Sequence, residues 1–214
     1  MQTIISPIGF NTTSVTRSLL EHGIEHEDIV QLVRPATETD DDRAAEAVTD
    51  VRQLLKKIEP TISVTVERIP HDDFEAAVMR CSKLLTKAAG EVVVSLSGGA
   101  RDVLLPLTIA TMAHHATVAT TLGYSDIDGQ VRELGLPTVS TTLSDGVLET
   151  LQKVADTNSS TTLPQLASNL DAVKSTITRH VSSLEDAGYV ATWTEDRTKN
   201  VSITLSGQLY LATV

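Results

Sequence analysis

The chain has 214 residues, 41% of them hydrophobic, and a formal net charge of −11 from 28 acidic and 17 basic side chains. That length admits one large domain or two modest ones, and the apolar content excludes a disordered chain. The longest mostly apolar stretch, Val103 to Ala113, contains Pro106 and is too short to span a bilayer, and MQTIISPIGF lacks the basic start and small-residue cleavage site of a leader, so a cytoplasmic protein with no membrane partner is expected. The single cysteine, Cys81, excludes an internal disulfide and a cysteine-based zinc site; it reads as a small buried helix residue. An acidic balance ordinarily argues against nucleic acid. It also suits a very salty cytoplasm, where salt screens the self-repulsion, and on that halophile reading net charge does not veto DNA binding.

From residue 3 to about 135, β-branched runs alternate with amphipathic stretches. The runs are Thr3 to Ser6, Asp28 to Val33, Ile62 to Arg68, Val92 to Leu96 and Thr117 to Leu122. The helices between them are expected at Thr13 to His22, Asp41 to Ile58, Phe74 to Ala88 and Arg101 to His114. Repeated strand-helix units demand a right-handed, doubly wound parallel sheet, so the fold class is α/β, Rossmann-like. Asp128-Gly129 marks a turn into a further edge strand at Gln130 to Leu134, and Pro106 should kink its helix.

The pattern changes near Pro137, which divides the chain into a Rossmann-like α/β domain over 1–137 and a second domain over 138–214, with a linker at about 136–145. The second domain reads as helices at Asp145 to Ala155, Leu163 to Leu170 and Ala172 to Ala187, a polar turn at 157–161, and two strands at Tyr189 to Thr194 and Val201 to Leu205 around the charged turn 195–200. Helix, helix, helix, hairpin is the order of a winged helix-turn-helix. Thr162, Pro164 and Gln165 form a capping-box start, Asp171 is the expected N-cap of the longer helix, and Gly188 ends it.

On that longer helix Val173, Ile177, Val181 and Leu184 share one face, which leaves Lys174, Ser175, Thr178, Arg179 and Ser182 on the other. Small hydroxyls that allow close approach, with basic groups for base edges and phosphates, are what a recognition helix needs in a major groove; Arg197 and Lys199 would add phosphate contacts from the wing. The alternative is an ordinary solvated face used for protein contacts. The stretch Lys174 to Val190 resembles the recognition helix and wing entry of MarR- and ArsR-type regulators, which implies a homodimer on a near-palindromic double-stranded DNA site.

SLSGGARD, residues 95–102, follows the fourth strand and opens a helix. Gly98 and Gly99 permit close backbone approach to an anion, Ser97 offers a hydroxyl, and Arg101 could hold a phosphate or stack on a base. A Gly-Gly pair after a strand also serves as a plain chain reversal. The loop Ser6 to Thr13 repeats the arrangement after the first strand, and both loops should share one rim of the sheet. Neither a Walker lysine-serine pair nor GxGxxG spacing is present, which disfavours a nucleoside triphosphatase or an NAD enzyme.

Pro7-Ile8-Gly9-Phe10, Ser95-Leu96-Ser97-Gly98-Gly99-Ala100-Arg101 and the winged-helix segment together resemble the CARF-domain (CRISPR-associated Rossmann fold) winged-helix regulators of archaeal CRISPR-Cas loci. The resemblance implies a homodimer binding cyclic oligoadenylate, typically the four-adenosine ring, across its two-fold axis, with Ile8, Gly9, Phe10, Asn11 and Thr12 lining one motif and Ser97, Gly98, Gly99 and Arg101 the other. It implies a transcription regulator and no cofactor. Two rivals stay open: slow cleavage of the ring by the sensor domain, for which no histidine is expected at either loop, and a sensor of a different nucleotide or metabolite. His114-His115 read as helix-end residues, Glu38 to Asp42 as a solvated helix entry, and His22, His26 and His71 as scattered; six aromatics argue against a single-strand binder.

Overall fold

The computed structural model describes residues 1–37, 41–137, 143–157 and 160–211. The chain forms two compact units, Met1–Leu136 and Pro137–Val214. Half of the expected linker, residues 138–142, lies outside the described residues, as do residues 38–40 of the acidic run and 158–159 of the polar turn.

The first unit runs β1 (Gln2–Pro7), α1 (Thr13–His22), β2 (Ile29–Pro35), α2 (Asp41–Ile58), β3 (Ser63–Ile69), α3 (Phe74–Lys87), β4 (Glu91–Ser95), α4 (Arg101–Ala113), β5 (Val118–Tyr124) and β6 (Val131–Glu133). Its sheet has the order β3-β2-β1-β4-β5-β6, all parallel except the antiparallel edge strand β6. This is the Rossmann-like architecture the alternation demands. Side chains of β1 alternate between two cores. Ile4 packs with Val15 and Leu19 of α1 and Val51 and Leu55 of α2, whereas Ile5 packs with Cys81 and Leu85 of α3 and Val103 and Leu107 of α4. Burying each such aliphatic side chain contributes about 1.5–3 kcal/mol, so the two layers hold the central strand from both faces.

At the opposite end of the sheet from its carboxyl rim, Asp28 is fully buried. It accepts the Gln2 amide (2.9 Å), Gln2 Nε2 (2.9 Å) and the Glu25 amide (2.7 Å). Burial alone would raise its pKa, but these donors and the nearby N-terminal ammonium hold it below the usual carboxylate range. α4 runs continuously through Pro106, which is buried within it. β6 spans only Val131–Glu133, entered through Gly129 at φ 69°.

The second unit runs α5 (Asp145–Ala155), β7 (Thr161–Thr162), α6 (Leu163–Asn169), α7 (Lys174–Asp186), β8 (Val190–Glu195), β9 (Thr198–Ile203) and α8 (Leu205–Leu211). The strands form an antiparallel sheet of order β7-β9-β8. Leu151, Val154, Leu166, Ile177, Val181, Leu184, Tyr189 and Val201 make its separate core. With α6 and α7 as the helix-turn-helix and β8-β9 as the wing, this is a winged helix.

The capping box is present in both directions: Gln165 N donates to Thr162 Oγ1 (3.4 Å) and Thr162 N donates to Gln165 Oε1 (3.1 Å). Asp171 does not cap α7. It lies at φ 48° and ends α6: its amide donates to Ser168 O, and the Ala172 amide donates to Ala167 O, the closing pattern that glycine usually supplies. The N-cap of α7 is Val173, which is therefore 69% exposed rather than part of the inward face. Gly188, at φ 74°, closes α7 as expected. The wing turn is shorter than the charged run suggests, because Asp196 and Arg197 both take positive φ (47° and 63°) and make a two-residue turn between Glu195 and Thr198. Leu205 starts a helix instead of ending a strand: Thr204 O accepts the Gln208 amide and Thr204 Oγ1 the Gly207 amide.

Candidate functional site

β1 and β4 are neighbours, and the chain leaves β1 toward β2 on one side and β4 toward β5 on the other, so the crevice beyond their carboxyl ends is the topological switch point of the sheet. The two glycine loops meet there. A Cβ on Gly9 would lie 3.4 Å from Gly99 Cα, one on Gly99 2.6 Å from Pro7 Cβ, and one on Gly98 2.3 Å from Ser14 Oγ. Gly98 and Gly99 both have positive φ, 75° and 70°. At Gly98 and Gly99 glycine is required by conformation and by space.

The loops floor a cleft of about 880 Å³. Ile8, Gly9, Phe10, Asn11, Gly98 and Gly99 line it; Thr12, Ser97 and Arg101 do not. The Ile8 side chain is 1% exposed and belongs mainly to the core. Its amide donates to Val33 O, which extends the β1-β2 pairing into the loop. Thr12 is the helical N-cap of α1, and its carbonyl accepts Thr16. Ser97 is buried and its Oγ accepts the Tyr124 amide (2.5 Å), so it ties the β4 loop to the end of β5. Arg101 is the exposed first residue of α4.

The lining also includes Thr13 and Ser14 of α1, Pro35 and Thr37 after β2, His71 after β3, Asp102 of α4, and Tyr124 and Asp126 at the end of β5. Thr13 and Asp102 end the two quoted loops; the others stood out as no motif. All lie at, or within seven residues beyond, the carboxyl end of a parallel strand, and the strand order brings those ends to one rim. Among the described residues no lysine or arginine lines the cleft, and Asp102 and Asp126 bring negative charge. Attraction for an anion must therefore come from backbone N–H groups and from the α1 and α4 N-termini, both of which open onto it. At the lip, the Arg43 guanidinium lies 4.7 Å over the centre of the half-exposed Phe10 ring.

The second unit offers a separate surface. Lys174, Ser175, Thr178, Arg179 and Ser182 are all exposed on α7, opposite buried Ile177, Val181 and Leu184. Arg197 is exposed at the wing tip, while Lys199 Nζ donates to Glu185 Oε2 at 3.0 Å. His180 faces α5: its Nδ1 is 2.9 Å from Thr150 Oγ1, and a Cβ on Gly146 would lie 3.3 Å from its ring. Burial, and then the charge of Arg179, keep this imidazole below its ordinary pKa.

A doubly wound sheet with glycine loops at its switch point, carried in one chain with a winged helix, defines a two-unit protein of the Rossmann-like, helix-turn-helix class. The chain belongs to the family described as Csa3 CRISPR-associated Rossmann-like domain, matched over residues 2–128. No curated protein matches it. Among solved structures, Enterococcus italicus Csm6 bound to cyclic hexa-2'-fluoro-hexa-dAMP is similar at 11% identity with a TM-score of 0.50, over 88% of this chain and 56% of that one; at that identity the likeness concerns fold alone. A MarR family transcriptional regulator from Streptomyces coelicolor aligns at 19% identity over 33% of this chain and 51% of that one, TM-score 0.32. A probable transcriptional regulator from Pseudomonas aeruginosa aligns at 20% identity over 34% and 56%, TM-score 0.32. The chain spans about half the length of these structures. No helix among the described residues is long and apolar enough to cross a membrane.

Proposed function

We propose that the protein is a homodimeric transcription regulator of CRISPR-Cas genes that binds cyclic oligoadenylate, in the form of the four-adenosine ring, and double-stranded DNA. The observation that carries this reading is that the Gly9 and Gly98-Gly99 loops line one cleft together with the first turns of α1 and α4, in a chain that also has a winged helix. A cyclic tetranucleotide has four negative charges and two-fold symmetry, so an isologous dimer can present the same pair of loops twice. The outer side of α4 supports a self-complementary contact beside the cleft: Leu105 and Ile109, one turn apart, are 50% and 44% exposed. The net charge of −11 supports an origin in a salt-rich cytoplasm, where backbone amides in place of a lysine cradle still hold the ring.

Ligand binding shifts the dimer contact, and the chain around 136–145 passes that shift to the paired recognition helices. A coupling of about 1–3 kcal/mol changes DNA affinity by roughly five- to a hundredfold. Titrating promoter DNA with the protein at high salt, with and without cyclic tetra-adenylate, tests it. Identical curves remove the regulatory claim.

A second reading is favoured by His71, which the fold brings to the cleft although the sequence suggests no histidine at either loop. As a base it would take the proton of a ribose 2′-hydroxyl attacking the adjacent phosphodiester, which opens the ring with a 2′,3′-cyclic phosphate at one end and a 5′-hydroxyl at the other. Linear products that vanish in His71→Ala would establish it.

A further inference from the structure

Residues 145–214 have five basic side chains against eight acidic ones. Among the described residues two of the five are ion-paired within the unit: Lys153 to Asp156 at 3.1 Å, near neighbours at the end of α5, and Lys199 to Glu185 at 3.0 Å, which joins the wing to the recognition helix. The second pair is built with more care than an accidental surface contact. Glu185 Oε2 accepts Lys199 of β9, while its other oxygen accepts the hydroxyl of Thr192 on β8. Both strands of the wing are thereby tied to one carboxylate, and these two bonds hold its pKa below the usual glutamate range, so it is charged. At 100° per residue, Glu185 falls on the same flank of α7 as Lys174 and Thr178, eleven and seven residues earlier, so the carboxylate continues the stripe that faces DNA.

We infer that Glu185 is a specificity-determining residue: it holds Lys199 away from the phosphate backbone and so suppresses sequence-independent DNA binding. Phosphate contacts supply nearly all non-specific affinity, whereas a specific complex adds contacts to base edges. To reach a phosphate, Lys199 must leave Glu185 and expose a carboxylate next to the duplex. A complex with only phosphate contacts has nothing to offset that repulsion; one with base contacts does. A chain with few cations thereby avoids spending them on random DNA.

This inference rests on the DNA-binding reading, and its test separates the two. Binding of a fluorescent random-sequence duplex is measured from low to moderate salt for wild type, E185Q, K199A and the double variant. E185Q should bind several-fold more tightly, with a salt slope steeper by about 0.9, one additional phosphate contact. K199A alone should leave the salt slope near wild type, since that lysine makes no phosphate contact, and should lower affinity because Glu185 is left unpaired beside the duplex; in the double variant it should cancel the E185Q gain. Emission of the single tryptophan, Trp193 on β8, reports that the wing is folded. Wild type that binds the duplex while E185Q shows the same slope overturns the inference alone. So does a slope reduced by about one in K199A, a result that stands even if E185Q does not fold. Wild type that binds no duplex at any salt overturns the DNA reading and the inference with it.

Discussion

At Gly99 an added methyl group would stand 2.6 Å from Pro7 Cβ and 3.2 Å from the Ile8 amide nitrogen, on a backbone at φ 70°. Gly99→Ala should therefore cost about 1–3 kcal/mol in a thermal melt. It should also abolish binding of cyclic tetra-adenylate in a calorimetric titration, since the loops must separate to accommodate it. Arg197 is the converse case. At φ 63° in the wing turn it is a strained arginine, so Arg197→Gly should leave stability unchanged or raise it by up to about 1 kcal/mol while weakening duplex binding and lowering the salt slope. A lower melting temperature with unchanged DNA affinity would contradict its placement as a phosphate contact. Cys81 shows how little a residue type says without its surroundings. Burial pushes its thiol up to about 11, so it stays protonated and inert.

Elements are held at their ends as much as along their faces. Thr162 and Gln165 satisfy each other's backbone donors at the start of α6, so Thr162→Ala should cost about 1 kcal/mol. Asp28 closes the amino end of β1 in the same manner, and Asp28→Asn, which sets an amide donor against donors, should cost about 1–3 kcal/mol. Its carboxyl has a lower pKa folded than unfolded. Its stabilisation is therefore complete above the pH where a free aspartate titrates, about 4, and is lost as pH falls through the lower native value. Acid melts of wild type and Asp28→Asn should converge below that range; parallel curves would exclude a role for the charge. The exchange of Asp171 from the start of α7 to the end of α6 belongs to this scale too. An aspartate between two helices serves either one, and only the φ of 48° decides which.

Each of the two units encloses a core of its own, with Ile4, Ile5 and their helix partners in the first and Leu151, Ile177 and Leu184 in the second. Fragments 1–136 and 137–214 should therefore each give a cooperative melt, the first retaining ring binding and the second duplex binding. A fragment that stays unfolded would mean that its core is insufficient. With a net charge of −11, the intact protein should also melt at higher temperature as salt screens its self-repulsion, read as melting temperature against sodium chloride concentration.

The α/β class, the parallel sheet and the winged helix were legible in the chain because periodicity and turn residues are local. β-branched runs spaced by amphipathic helices admit few arrangements, and Thr162-Leu163-Pro164-Gln165 announces a helix start without help from the rest of the molecule. Gly98 and Gly99 could be singled out for the same reason. What met them could not. His71, Tyr124 and Asp126 converge on one cleft with those glycines only because five parallel strands end on one rim, and the pairing of Lys199 with Glu185 needs a hairpin folded back on a helix fourteen residues away. Those are contacts between residues distant in the chain, decided by strand order and packing, and no local pattern encodes them.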